Sequence, residues 1–539
     1  MDSAGDLDRI SVLPDDLLHV ILALVGDAAA VTRTAVLSRR WRRVWVGTRG
    51  LSFSDTTMNA GDAAGFVDWA LAQCRDADMD SLEISMDRDD GLPSPEQVNR
   101  WFRYAARHVA GSFHLRLSRG STPGIIELPG DGRSRPTSIR LRLGARNLLK
   151  LPPPAARYEA LTELALHSTW LGEETRPGWR ALGDFVSSSC PRLRKLDVDR
   201  PRWLRRLVLR AEALEELRLS GALDLRTLDV AAPSLRVLQL QECFYGTHTY
   251  RDGGRVVHKA ARVAAPRLEE VAVSGVLCGR PHLDVRGLSS VRRLGDLELR
   301  MHGQYCRDTG HDLWLLESCR GAEHVGLSLC HCEPPSRGAM DGFVDIAAEG
   351  AAPFASVRSM VVDAGRFPEH HLVSSMSPLL QRFPCLRSLC IRFPERLGNK
   401  RQYCLCRGAD YATRGEIDLR SKNHGKISFG SLEEVEISGF AGAPQWDLVS
   451  FLFESSDAIK RMTVEMDGAP KRVVPELLKI PSTDRGRWHF EKNMYIWTSQ
   501  ATENIRMEQT MPLQKEKRKK KRERKERRSN RKRNHTNST

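Results

Sequence analysis

The chain has 539 residues, too many for one compact core, so several modules or an elongated repeat array is expected. Hydrophobic residues make up 41% and charged residues 28%, which excludes wholesale disorder. The net charge of +15 is concentrated in a tail: Lys515–Arg533 holds 14 Lys or Arg and 3 Glu, or +11, leaving +4 for all other residues. Asp2, Asp6 and Asp8 open the chain where a signal peptide would carry basic residues, so no such peptide is expected. The apolar stretch Val20–Val25 falls far short of the about 20 residues that span a bilayer. Twelve scattered cysteines read as free thiols, and a reducing compartment, nucleus and/or cytoplasm, is expected.

In chain order, LPDDLLHVILALV at residues 13–25 spaces its apolar residues as an amphipathic helix, with Pro14 suited to the first turn. A second helix is predicted over Ala28–Leu37 and a third from Arg39, capped by Ser38. The third helix puts Trp41, Val44 and Trp45 on one face and Arg39, Arg40, Arg42 and Arg43 on much of the rest. Three short helices enclose little core, so a partner protein is the economical cover for two indoles. The competing reading packs both tryptophans against the following domain of the same chain and leaves the arginines solvated. No helix-turn-helix spacing or zinc-finger ligand set supports DNA reading by the arginine run.

LPDDLLHVILALV followed by TRTAVLSRRWRRVW resembles the F-box of plant F-box proteins over residues 9–50. The resemblance implies a trihelical module that docks on a Skp-type adaptor and, through it, a cullin-based ubiquitin ligase. By matching position, Leu13, Pro14, Leu17, Ile21, Leu37, Ser38, Trp41 and Trp45 are the adaptor-facing candidates.

The helices Phe66–Cys74 and Glu96–Val109, each followed by a strand, read as divergent first units of an array. From residue 161 an apolar pattern at positions 1, 4 and 6 recurs, as in Leu193/Leu196/Val198, Leu214/Leu217/Leu219 and Leu235/Leu238/Leu240. Each copy is a short strand with one buried side, which folds only when stacked on others. Interleaved copies at Leu204/Leu207/Leu209 and Leu225/Leu228/Val230 predict strands on both walls of a narrow solenoid. The pattern resembles leucine-rich repeats within residues 60–428; its Asn or Cys position is filled by Cys243 and by Cys330 but by few others. Target specificity is expected in polar positions between the leucines or in the loops near 244–262, 302–312, 331–342 and 394–426.

Residues 429–466 read as strand, helix, strand, and FGSLEEVEISGF with its following helix resembles the FBD segment of plant F-box proteins, placing an FBD-like segment or repeat cap at 429–500. The tail at 505–539 lacks an apolar run and is expected to be disordered. Lys517, Arg518, Lys519, Lys520, Lys521, Arg522, Arg524, Lys525, Arg527 and Arg528 are the nuclear-import candidates.

No phosphate loop, dinucleotide fingerprint, HExxH helix or nucleophile elbow occurs. Cys330/Cys332 with His331, and Cys404/Cys406, depart from structural-zinc spacing, so neither a metal site nor a cofactor is expected. The expected fold combines α+β and α/β-repeat parts: a trihelical F-box, an irregular leucine-rich-repeat solenoid and a basic tail. The expected function is non-catalytic: a substrate receptor of a Skp–cullin–F-box ligase, with an unknown protein target and no membrane partner. The alternative is a nuclear nucleic-acid-associated scaffold that uses the basic tail.

Overall fold

The computed structural model describes residues 10, 13–58, 62–74, 78–88, 91–117, 123–130, 134–144, 146–172, 178–244, 249–252, 255–274, 282–302, 305–307, 312–332, 343–346, 348, 352–368, 371–393, 429–440, 445–466, 486–491 and 494–500. The chain divides into two compact units, residues 1–295 and 296–539.

The first unit opens on helices. Pro14 is extended and leads into α1 (Asp15–Val25), whose first-turn Asp15 and Asp16 meet the positive end of the helix dipole. Leu18 and Leu22, one turn apart, are buried. Gly26 ends the helix with a φ of 67°, a conformation open to glycine at little cost, and donates its N–H to the Leu22 carbonyl. Asp27 then caps α2 (Ala28–Arg33) by accepting the Ala30 N–H at 3.1 Å. Periodicity predicts this helix to Leu37, but it tightens at Thr34–Val36 into a single 3-10 turn. The third helix, expected from Arg39, is α3 (Trp41–Val44), continued by a 3-10 turn at Trp45–Gly47. Ser38 accepts the Trp41 N–H on its hydroxyl and the Arg42 N–H on its carbonyl, so the segment from Ser38 to Arg40 is a capping turn and precedes the helix.

Hydrogen bonds tie the helical segment to the first strand, Gly50–Ser54, and to the turn after it. Ser52 donates its N–H to the Gly26 carbonyl at 2.8 Å, and Thr57 donates its hydroxyl to Asp27 at 3.0 Å. α4 (Ala63–Gln73) and α5 (Pro95–His108) each precede a strand of the same sheet. α5 starts with a full capping box between Ser94 and Gln97 and with Pro95 in its first turn. The two helices meet through Asp68, which accepts from the Trp101 indole at 2.8 Å and from Arg100 at 2.6 Å.

The main sheet of this unit is a parallel ladder: Gly50–Ser54, Met79–Met86, Val109–Leu117, Ser138–Arg142, Glu163–His167, Lys195–Asp199, Glu216–Ser220, Val237–Gln241 and Glu270–Ser274, followed by the start of Arg293–His302. Its register superposes the repeated apolar pair: Leu196, Leu217, Leu238 and Val271 form one buried row, and Val198, Leu219, Leu240 and Val273 the next. The interleaved copies form a separate parallel sheet of Arg206–Arg210, Thr227–Ala231, Ala260–Ala264 and His282–Arg286. A third sheet, Gly124–Glu127, Asn147–Lys150 and Trp170–Leu171, repeats the arrangement earlier in the chain. Single strands with one apolar row each thus become a two-walled parallel fold compatible with a leucine-rich-repeat-like solenoid. Cys243 stands just after one strand, and its thiol donates to the Gln241 carbonyl at 3.3 Å. Burial pushes that thiol up to about 12, which keeps it protonated and a donor.

The second unit is built on the same principle. Its parallel ladder runs His324–His331, Ser359–Arg366, Ser388–Arg392, Glu434–Phe440 and Arg461–Met466. Val325, Met360, Leu389, Val435 and Met462 are in register and buried, as are Leu327, Val362, Ile391, Ile437 and Val464. Helix Asp312–Ser318 precedes the first of these strands, and helices Leu372–Gln381 and Trp446–Ser455 fall between later ones. The ladder then changes direction: Met494–Ser499 pairs antiparallel with Arg461–Met466 and forms a hairpin with Gly486–Glu491. Trp497 from this hairpin meets Phe453 edge-on at 4.9 Å. Among the described residues no helix is long and apolar enough to cross a membrane.

Leu217 lies wholly inside the buried row, whereas Leu223 is 41% exposed. Leu217→Ala is expected to lower unfolding stability by about 2–5 kcal/mol and Leu223→Ala by less than about 1 kcal/mol, measured by denaturant unfolding of the full chain.

Candidate functional site

α1 carries more apolar surface than its own core uses. Leu18 and Leu22 point inward, while Leu17, Val20, Ile21 and Leu24, at i, i+3, i+4 and i+7, form an exposed stripe. Leu24 is 82% exposed, as is Val36 beyond α2, beside an exposed Leu37. Arg40 holds the start of this helix: its guanidinium pairs with Asp15 at 2.6 Å and also donates to the Leu13 carbonyl. Aligned apolar side chains left in water on a surface helix make this stripe a candidate docking surface.

The adaptor-facing candidates divide into two groups. Pro14, Leu17, Ile21, Leu37 and Ser38 are exposed and Leu13 is half-buried, so all have surface to offer. Trp41 and Trp45 do not: they are 6% and 3% exposed. Their expected partner cover is corrected here, because the chain supplies it. Trp45 stacks on Trp69 of α4 at 5.7 Å, Trp69 stacks on Phe66, and Phe66 meets Phe53 edge-on at 6.0 Å. These indoles act through support, by holding α3 against the unit that also carries α1. Sequence reasoning misses Val20, Leu24, Val25 and Val36 as surface residues. The available signal is the width of the apolar arc on α1, broader than one buried face requires.

A second candidate surface lies between the leucines of the main ladder. Ser52, Glu83, His114, Arg140, Ala165, Asp197, Arg218, Gln239 and Ala272 occupy one row across nine successive strands, on the side opposite the buried pairs. Glu83, Arg140, Asp197 and Arg218 give it charges of both signs, Ala165 and Ala272 are buried within it, and polar groups on the same side of the sheet pair between strands. Arg140 reaches Glu163 at 2.7 Å, Lys195 reaches Glu216 at 3.0 Å, and Gln239 donates to Glu270 at 3.0 Å. Burial alone would push the Glu163 carboxyl up, but the Arg140 guanidinium, the Ser138 hydroxyl and the Lys195 charge outweigh it and hold it below its ordinary range. Asp199 repeats the pattern: desolvation is opposed by Ser220, Arg200 and His167, and the net shift is downward. Such a row presents mixed charge and lacks the single sign that phosphate tracking requires.

Cys404 and Cys406, the import candidates from Lys517 to Arg528, and most of the 331–342 and 394–426 loops lie outside the described residues.

No family model matches the chain. Among curated proteins it is similar to an F-box protein of Arabidopsis thaliana, 28% identical over 191 residues, covering 34% of this chain and 43% of that protein. It is 28% identical over 251 residues to an F-box/FBD/LRR-repeat protein of the same plant, covering 44% of this chain and 47% of the relative. An FBD-associated F-box protein of that plant matches over 340 residues at 25% identity, covering 61% and 72%. The chain thus spans under half the length of the first two. Its kinship is with plant F-box proteins of the leucine-rich-repeat and FBD kind, as its own motifs indicate.

Because the Glu163 carboxyl is held below its unfolded value, it contributes stability above that value and loses it as pH falls through the folded one. Glu163→Gln is therefore expected to lower the melting temperature at neutral pH by the equivalent of up to about 1 kcal/mol. The gap to the unmodified chain should close below about pH 4, as followed by thermal melts across a pH series.

Proposed function

We propose that this chain is the substrate-receptor subunit of a Skp–cullin–F-box ubiquitin ligase. The observation that carries the reading is the exposed stripe Leu17, Val20, Ile21 and Leu24 on α1, set in a segment whose motif resembles that of F-box proteins, in a chain whose relatives are F-box proteins. An adaptor laid on this stripe would remove apolar side chains from water, each worth about 1.5–3 kcal/mol when fully buried. Leu37 and Pro14 extend the contact, and Trp41 and Trp45 support it from within. The trihelical F-box, on this reading, is α1 to α3, and a cullin is reached only through the adaptor.

The polar row of the parallel ladder is the proposed seat of the protein target. Its mixed charges supply selectivity, since a mismatched partner leaves paired groups without their counterparts. The chain performs no bond chemistry in this scheme. It raises the effective concentration of a target lysine near the enzyme held at the far end of the complex. The basic segment Lys515–Arg533 is assigned to nuclear import, giving a protein of the nucleus and/or cytoplasm. The mixed signs of the ladder favour this reading over the nucleic-acid scaffold.

The test is capture of a purified plant Skp-type adaptor by the full chain. Leu17→Asp/Ile21→Asp and Leu24→Asp should each weaken binding at least about tenfold, a loss of about 1.4 kcal/mol or more, with circular dichroism unchanged. Absence of binding by the unmodified chain, or undiminished binding by these variants, would refute the assignment.

A further inference from the structure

The second unit brings together three histidines that are remote in sequence. His302 is the last residue of the strand Arg293–His302, His331 the last residue of His324–His331, and His371 the N-cap of the helix Leu372–Gln381. The first two strands are neighbours in the sheet, and Cys332 donates its N–H to the Met301 carbonyl beside them. Ring centroids stand 5.4 Å apart for His302 and His331, 5.1 Å for His302 and His371, and 5.1 Å for His331 and His371. One nitrogen from each ring lies within 4.8 Å of the other two, and all three rings are half-buried. Among the described residues no other group of three His, Cys, Asp or Glu places its ligand atoms so close.

We propose that His302, His331 and His371 form a binding site for a divalent transition metal of the zinc class. Three converging imidazoles are the donor set that zinc, copper and nickel take, and one that calcium and magnesium refuse. An apolar trio would fill the same space without presenting polar nitrogens to one another. The Nδ1 of His302 is buried and has no hydrogen-bond partner among the described residues, a cost that a bound cation removes. With metal–nitrogen bonds of about 2.0–2.1 Å, tetrahedral ligand nitrogens stand roughly 3.3 Å apart. Closure from the present separation is a matter of ring rotation about the side-chain torsions. The His331 and His371 rings are only 7° from parallel, so at least one of them turns. Phe367 walls the site, edge-on to His331 at 6.0 Å. Cys332 is not the fourth ligand, because its thiol donates to the Arg300 carbonyl at 3.4 Å. The fourth position is left to water.

The metal would join two neighbouring strand ends to the start of a helix that follows the next strand, so its effect is to clamp consecutive turns of the ladder. This inference stands apart from the ligase assignment and is tested without it. The full chain is freed of metal by a chelator, dialysed and titrated with Co2+, then with Zn2+ in competition. One equivalent of Co2+ should give the visible absorption of a four-coordinate nitrogen site, without the near-ultraviolet band of thiolate ligation. Zn2+ should bleach it and raise the melting temperature.

His302→Gln and His371→Gln should each weaken binding at least about tenfold, the scale on which even outer-shell changes act. His489→Ala, an exposed histidine outside the cluster, should leave it unchanged. Two separate histidine variants keep the test decisive if one of them fails to fold. Absence of a stoichiometric cobalt spectrum, a thiolate band, or unaltered binding in the folded glutamine variants would overturn the site.

Discussion

A typical strand of the parallel ladders, such as Glu216–Ser220, has two buried side chains and no means of burying them alone. The pair becomes stable only when the strand before and the strand after put equivalent side chains at the same height, as Leu217 does between Leu196 and Leu238. Register is therefore the constraint on which everything else depends: a slip of one residue would turn the apolar row to solvent and the charged row inward. The ion pairs on the opposite side are consequences of that register. Arg140 meets Glu163, and Lys195 meets Glu216, because the leucines beneath them are already aligned.

A fold stabilised from one face leaves the other free to vary. The solvent side of the ladder can exchange charges without loss of core, which suits a protein whose proposed task is to distinguish targets. The same freedom explains why the N-terminal helices keep their own interior. Trp41 and Trp45 are sealed within the unit, so the outward stripe on α1 is not needed for folding and is available to a partner. Support and contact are thus divided between α3 and α1, and their tryptophans and leucines answer to different requirements.

Much of the architecture was legible in the sequence because buried strand positions repeat. The strands beginning at 195, 216 and 237, and the interleaved ones at 206 and 227, stand over the second and third apolar positions of each leucine pattern, where the spacing predicts them. The N-terminal helices were legible too, down to the break at Gly26. Their detailed ends were not, since Ser38 stands three residues ahead of the helix whose first N–H, that of Trp41, its hydroxyl accepts. The fate of Trp41 and Trp45 was illegible for another reason: helical spacing shows that two indoles share a face, but not whether Trp69 or a second protein covers it. The histidine cluster was beyond any reading of local spacing. His302, His331 and His371 meet only because the stacked ladder brings two neighbouring strand ends to the start of a helix.

The bond between Ser52 and the Gly26 carbonyl joins the end of α1 to the first strand of the ladder without a flexible spacer. Whatever sits on α1 is thereby fixed in angle to whatever sits on the nearby strands. In the proposed complex this makes the first unit a bracket: each strand along its ladder corresponds to one distance from the adaptor. The strand at which a target is gripped would then select which of its lysines faces the transferring enzyme, so that choice of site on the target is set by counting strands.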